Sequence, residues 1–296
     1  MSPALEGLAS GPLCLVEDEG RPGLAALGLG RSGAADRGAH RLGARLVGHP
    51  AGRAALEVLL GGLVVRARGR LTVALTGAQA PARVNGREVG HAALVEVPDG
   101  AVLSLGMPSG GLRTYLTVRG GIDVPPVLGS RSTDTLSGVG PPPVRVGDVL
   151  PIGDPGAAFP RVDHVARPSP PAGRPEVLEV LPGPRAGWVG GWGTDLGGLL
   201  SASWQVSGHS DRVGLRLTGS TVSRAAAHEG AELPSEGVVR GGVQVPAGGE
   251  PVVFLADHPV TGGYPVVAVL TPSDCDRAAQ LRPGDLVRLA RAAPRG

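Results

Sequence analysis

The hydrophobic pattern changes period early in the chain. Ala35, Ala39, Leu42 and Leu46 fall at i, i+4, i+7 and i+11, one face of a helix, so Ala34 to Val47 is predicted helical. Ser32 is the expected N-cap, and Gly48 followed by Pro50 the stop. After that the period is two. Leu71, Val73 and Leu75 alternate with Thr72, Ala74 and Thr76, and Arg113 to Arg119 sets Thr114, Leu116 and Val118 on one side. Val84-Asn85-Gly86-Arg87 reads as a hairpin with a type I′ turn, because Asn-Gly tolerates positive φ at both central positions. Val97-Pro98-Asp99-Gly100 reads as a second turn before a strand from Ala101 to Leu105.

The second half repeats the short-strand pattern over Glu176 to Leu181, Arg212 to Leu217, Val238 to Val245, Pro251 to Ala256 and Gly263 to Leu270. Helices are expected around Asp195 to Trp204, and from a Ser273 cap through Leu281 with Asp276 at the capping-box position. The fold class this predicts is mainly β with a few short helices and no doubly wound parallel sheet. Gly153 to Pro175 carries Pro155, Pro160, Pro168, Pro170, Pro171 and Pro175 with little apolar patterning, and reads as a linker. Two β-rich lobes follow, 1–152 and 176–296.

Composition sharpens this picture. At 42% hydrophobic but only 2% aromatic residues, the core must be built from Ala, Val and Leu. Gly 50 and Pro 29 recur as turn punctuation. All 28 basic side chains are arginines, which excludes a Schiff-base lysine, a Walker-type phosphate lysine and a biotin-bearing lysine on this chain. A net charge of +2 with no basic run and few aromatics argues against a nucleic-acid partner. No apolar run approaches the ~18 residues of a membrane helix, and Met1 to Glu19 lacks a signal-peptide pattern. Cys14 and Cys275 form no CxxC, so the expected compartment is the cytoplasm.

Most of the familiar motifs fail on physical grounds. Gly28-Leu29-Gly30-Arg31-Ser32-Gly33 fits GxGxxG, but the preceding Arg21 to Leu27 has no β-branched residue to deliver the first glycine from a buried strand. Seven histidines supply no HExxH, and no metal ligand is expected. There is no GxSxG, and the neighbours His209-Ser210-Asp211 cannot face one another as a triad. Three segments are richer than turn chemistry needs. Gly129-Ser130-Arg131-Ser132-Thr133-Asp134-Thr135 joins a guanidinium to hydroxyls and a carboxylate, fit either to grip an external anion or to close a loop through an Arg–Asp pair. Ser210-Asp211-Arg212-Val213-Gly214 enters a strand with a similar set, and Asp257 to Pro265 combines paired glycines with Tyr264.

In this order, the segments resemble one family. Glu17-Asp18-Glu19-Gly20-Arg21-Pro22-Gly23 with Ser32-Gly33-Ala34-Ala35-Asp36 resembles its N-terminal signature. Arg119-Gly120-Gly121-Ile122, Leu128-Gly129-Ser130-Arg131-Ser132-Thr133, Ser210 to Leu217, Ser235 to Pro246 and Thr261-Gly262-Gly263-Tyr264-Pro265 continue it. The family is the C subunit of bacterial ATP-dependent 5-oxoprolinase, also described as allophanate hydrolase subunit 2 or the biotin-dependent carboxyltransferase family.

The resemblance implies a cyclophilin-like, β-barrel-rich fold. It also implies a complex with A-type and B-type subunits that cleaves the small molecule 5-oxo-L-proline to L-glutamate, with ATP used by the complex and biotin not on this chain. Within that reading Arg131, Asp211 and Glu236 are the expected catalytic residues. Ser130 and Ser132 are expected to grip an anion beside Arg131; Arg212 and Gln244 would line the cleft, and Thr261, Gly262, Gly263 and Tyr264 its glycine-edged wall. Two other readings stay open: a non-catalytic regulatory subunit pairing with a B-type partner, and a carboxyltransferase or amidohydrolase subunit acting on a urea- or allophanate-like substrate. The chain departs from the family pattern at Glu17 (commonly Gln), Ala44 and His49 (commonly Asn) and Val260 (commonly Thr).

Overall fold

The computed structural model describes residues 2–156, 162, 164, 165 and 175–293, so most of the expected linker lies outside the described residues. The chain forms two compact units, Met1–Pro22 with Ser32–Ser169 and Gly23–Arg31 with Pro170–Gly296. Both are built mainly of strands, as the period-two patterning requires.

The first unit contains β1 (Ala4–Ser10), β2 (Leu13–Glu17), α1 (Arg37–Val47), β3 (Ala55–Leu59), β4 (Leu63–Arg68), β5 (Leu71–Gly77), β6 (Ala82–Val84), β7 (Arg87–Glu88), β8 (Leu94–Val97), β9 (Val102–Leu105), β10 (Arg113–Val118) and β11 (Val149–Pro151). They form a six-stranded sheet, β11-β1-β4-β9-β6-β7, and a five-stranded sheet, β2-β3-β10-β5-β8. Leu5, Val65 and Leu103 of one sheet share a core with Val16, Leu56, Val73 and Leu116 of the other. Small branched residues on alternate positions fill this space without aromatics. The β6–β7 turn has the expected geometry, with Asn85 at φ 48 and Gly86 at φ 81.

α1 starts later than the apolar period suggests. Asp36, not Ser32, is the N-cap, its carboxylate accepting from Ala39 N at 2.8 Å. Ser32 is instead left-handed and buried, with its hydroxyl donating to the Thr133 carbonyl. Gly48 ends the helix in the left-handed conformation, as expected. The helix lies on the second face of the five-stranded sheet, which is apolar where Leu42, Leu46 and Val47 meet Ala74 and Ala92 and polar along β10. Because side chains alternate along β10, Leu116 and Val118 point into the shared core while Arg113, Tyr115 and Thr117 face the helix.

The second unit contains β12 (Glu176–Pro182), β13 (Trp204–Val206), β14 (Gly214–Thr218), β15 (Glu236–Gly237), β16 (Gly242–Gln244), β17 (Val252–Phe254), β18 (Thr261–Gly262), β19 (Val266–Leu270), α2 (Pro272–Ala278) and β20 (Leu286–Arg291). Seven of these strands close a barrel in the order β12-β19-β16-β17-β14-β13-β20, and β15 pairs with β18 in a small separate sheet. Closure comes from β12 and β20, which run parallel with Leu178 opposite Leu289. Trp204 fills the interior and donates its indole N–H to the Leu199 carbonyl.

Two helix expectations are corrected here. Asp195 to Trp204 holds only a 3₁₀ turn, Leu196–Gly198, because Gly197 sits at φ 66. α2 is capped by Thr271, whose hydroxyl accepts from Asp274 N; Asp276 pairs with Arg240 instead of completing a capping box. No helix among the described residues is long and apolar enough to cross a membrane.

Gly43 marks the closest approach of α1 to the sheet, where a methyl group would collide with Thr117 Oγ1. Alanine improves helix propensity by about 1 kcal/mol, while overpacking costs about 1–3 kcal/mol. Gly43→Ala is therefore expected to lower stability in urea denaturation. Adding Thr117→Ala, which removes a buried hydroxyl with no hydrogen-bond partner, should restore most of the loss.

Candidate functional site

Ser130, Ser132 and the Arg131 amide surround an internal carboxylate, that of Asp18. Asp18 Oδ1 accepts from Ser130 Oγ and Ser132 Oγ at 2.6 Å each and from Gly20 N at 2.7 Å, while Oδ2 accepts from Arg131 N at 2.6 Å. Asp18 N donates to Ser132 Oγ at 2.9 Å. The hydroxyls and amide that residue type nominated for an external carboxylate are thus engaged by an internal one. Arg131 is committed as well. Its Nε donates to the Val124 carbonyl at 2.7 Å and its Nη2 to Asp123 at 2.6 Å, so the guanidinium ties down its own loop.

A second carboxylate organises the start of α1. Glu57 Oε2 accepts from Ala35 N at 2.9 Å and from the Tyr115 hydroxyl at 2.7 Å, and that hydroxyl accepts from Asp36 N at 2.8 Å. Arg113 Nε lies 3.3 Å from Glu57 Oε1, and both side chains are buried. Burial first, then the Glu57 and Asp36 charges, raise the Tyr115 phenol well above its usual range, so it remains a donor. Burial, with a smaller contribution from Glu57, pushes the Cys14 thiol up to about 12, which makes it inert as a nucleophile. Glu57 is therefore a structural anchor. The motif itself follows a 3₁₀ turn, Ala25–Leu27, rather than a strand.

In the second unit the expected residues divide between two clusters. Arg212 and Asp257 form a fully buried pair with two parallel contacts, Nε–Oδ2 at 2.8 Å and Nη2–Oδ1 at 3.0 Å. Asp211 Oδ1 caps the entry to β14 by accepting from Val213 N and Gly214 N. The other cluster is a continuous polar strip. Glu236 Oε2 accepts from Arg185 Nε at 3.0 Å and Nη2 at 2.7 Å, and Glu236 pairs with Gly262 across β15 and β18. Gly262 leaves space that a Cβ would close at 2.7 Å from Gln244 Nε2, which donates to the Tyr264 carbonyl at 3.1 Å. Thr261 and Tyr264 are exposed on this strip and Gly263 is part-buried.

Of the expected catalytic trio, only Glu236 lies among the proposed wall residues. Arg131 and Asp211 perform local structural tasks. Arg185 was not anticipated; it follows Leu181-Pro182-Gly183-Pro184, where no period or motif distinguishes a functional arginine. Among the described residues no group of three His, Cys, Asp or Glu side chains is placed to hold a metal.

Residues 27–291 match the model of the family described as "Carboxyltransferase domain, subdomain A and B". The chain belongs to that family. Within it, this carboxyltransferase module is 36% identical to the C subunit of the 5-oxoprolinase of Escherichia coli (strain K12), over 94% of this chain and 87% of that protein. It superposes on TTHA0988 with a TM-score of 0.85 at 36% identity, covering 98% of this chain and 56% of that one. On the urea amidolyase of K. lactis the TM-score is 0.87 at 28% identity, covering 99% and 19%. The chain thus spans about half the length of TTHA0988 and under a fifth of the amidolyase. In this carboxyltransferase-family chain Glu17, Ala44 and His49 are buried.

His40 and His49 are both held below the ordinary imidazole pKa. For His40 burial dominates, opposed by Glu19, Asp18 and the Arg53 backbone; for His49 burial also leads, opposed by the Pro50 carbonyl. A depressed folded-state pKa means that unfolding takes up protons below the ordinary value of about 6.5. Stability is therefore expected to be full above that pH and to fall as pH drops below it. A melting-temperature series should show this slope flattened in His40→Gln and His49→Gln. Arg131→Lys cannot reproduce the fork on Val124 and Asp123. It should lower stability by ~1–2 kcal/mol of lost hydrogen bonding, read as a lower melting temperature, with activity falling only in proportion to folded protein.

Proposed function

We propose that this chain is the C subunit of a 5-oxoprolinase, working with A-type and B-type subunits to open 5-oxo-L-proline to L-glutamate at the expense of ATP. The observation that carries the reading is the match to the E. coli 5-oxoprolinase C subunit along nearly the whole of both chains. Opening the lactam requires its carbonyl carbon to be made electrophilic, water to add, and the C–N bond to break with a proton delivered to the departing nitrogen. ATP supplies the driving force in the complex.

The residues of this chain fit a substrate-positioning share of that work. The one loop with phosphate-grip chemistry, 129–133, is closed on Asp18, and there is no lysine, so no step on ATP is assigned to this chain. Glu236 is different. Arg185 orients it beside Gly262, next to Gln244, where its carboxylate oxygens can accept a hydrogen bond from a lactam N–H. Localisation in the cytoplasm suits the reading, since ATP and the other subunits must meet the chain there.

The test is ADP release, coupled to 5-oxoproline, by the co-expressed complex with and without this chain. Turnover is expected only when all three subunits are present, and a partner-free preparation that turns over 5-oxoproline would refute the assignment. Glu236→Gln should cut turnover by about tenfold or more, the loss of one charge-assisted hydrogen bond of ~1.5 kcal/mol or more. Its melting temperature should stay close to that of the parent.

A further inference from the structure

The segment from Ser223 to Gly237 has no core of its own. Each of its residues is exposed or only part-buried, between the buried Val222 and Val238. A stretch with so little buried apolar surface keeps its place through a few discrete contacts and opens at low cost. Where those contacts fall matters, because the segment leads into Glu236, the carboxylate of the polar strip.

The contacts converge on one 3₁₀ turn. Trp188 N donates to the Arg185 carbonyl at 2.9 Å, within the turn Ala186–Val189 and its N-cap Arg185. Arg185 N fastens the turn to β19 by donating to the Val266 carbonyl at 3.0 Å. Residues three apart are eclipsed in such a turn, so Arg185 and Trp188 are presented together. Arg185 grips Glu236 at one end of the segment. Trp188 takes the other end. Its ring stacks on His228 with centroids 4.5 Å apart and planes 3° from parallel, and the Arg224 guanidinium lies 5.5 Å from its ring centre. The Trp188 carbonyl accepts from Ala225 N at 2.8 Å. Between these ends Arg224 Nη1 donates to the Ala231 carbonyl at 2.8 Å, and the Leu233 carbonyl comes within 3.5 Å of where a Cβ on Gly263 would stand. Trp188 is buried yet stands outside the aliphatic core of the barrel, and its aromatic and cation contacts are with this segment.

We propose that Trp188 and His228 are positioning residues for Glu236: their stack holds the segment closed, and the closed segment sets the carboxylate where a lactam N–H can reach it. This rests on the functional reading above, which supplies that substrate. Substrate bound to Glu236 favours the closed segment in turn. A weakened stack therefore lowers the fraction of chain ready to bind and leaves the saturated complex intact. The loss falls on KM and spares kcat, unlike the loss of turnover expected for Glu236→Gln.

His228→Ala and His228→Phe separate the stack from the fold, since phenylalanine keeps a flat ring on the indole and His228 is only part-buried. Both variants should melt close to the parent. In the three-subunit complex, His228→Ala should raise KM for 5-oxoproline about three- to tenfold, the range for one aromatic stack, with kcat retained. His228→Phe should bring KM back towards the parent value. On the full chain alone, trypsin cleavage after Arg224, followed by mass spectrometry, should be faster by a similar factor in His228→Ala but not in His228→Phe, because cutting follows the open fraction. Cleavage unchanged in His228→Ala, or an equal loss in His228→Phe, would overturn the proposal. A parent complex that does not turn over 5-oxoproline would overturn the functional reading and this role with it; parent turnover with KM unchanged in His228→Ala would overturn this role alone.

Discussion

The first unit depends on one buried carboxylate. Asp18 stands just past the end of β2, and its oxygens gather a hydroxyl pair and two backbone amides from segments more than a hundred residues apart in sequence. An ionised group is expensive to bury unless every lone pair is occupied. Here four donors occupy them, and they anchor 130–132 beside further ties of the same segment, Thr133 N to the Val16 carbonyl and Val144 N to the Cys14 carbonyl. The same contact ties the residue that follows β2 to the 130–132 loop.

Glu57 does for the helix what Asp18 does for the loop. It collects Ala35 N directly and Asp36 N through Tyr115, so the N-terminus of α1 is held by the sheet beneath it. Thr76 completes the attachment by donating to the Ala39 carbonyl. On the helix side of the five-stranded sheet a hydrogen-bonded layer thereby lies beside the apolar cluster of Leu42, Leu46, Val47 and Ala74. A polar interlayer of this kind demands specific partners rather than approximate volume, and tolerates substitution less than the aliphatic core.

Much of this architecture was legible in the sequence, and the limits have physical causes. Strand periodicity and the Asn85-Gly86 turn were readable because alternation and φ preference are local properties. The Asp195 to Trp204 helix failed because Gly197 and Gly198 adopt conformations that a hydrophobic pattern does not register. Ser32 was nominated as a cap for its residue type, but the carbonyl of Thr133 competes for its hydroxyl. Residue type marked Ser130-Arg131-Ser132 as fit for a carboxylate, but the Asp18 contact joins residues more than a hundred positions apart and carries no spacing signature. The glycine wall around Gly262 was visible as a segment; the Arg185–Glu236 fork that orients it joins residues with no spacing signature.

Barrel closure carries a consequence for synthesis. The first unit has every strand of both sheets in hand once Pro151 has left the ribosome. The second cannot seal until β20 arrives to lie against β12, more than a hundred residues after β12 was made. Until then β12 keeps an open edge and the tryptophan-filled interior lacks one wall, the kind of exposed strand that invites mispairing. One half of this protein is therefore born folded piece by piece, while the other must wait, unsealed and in need of shelter, for its final strand.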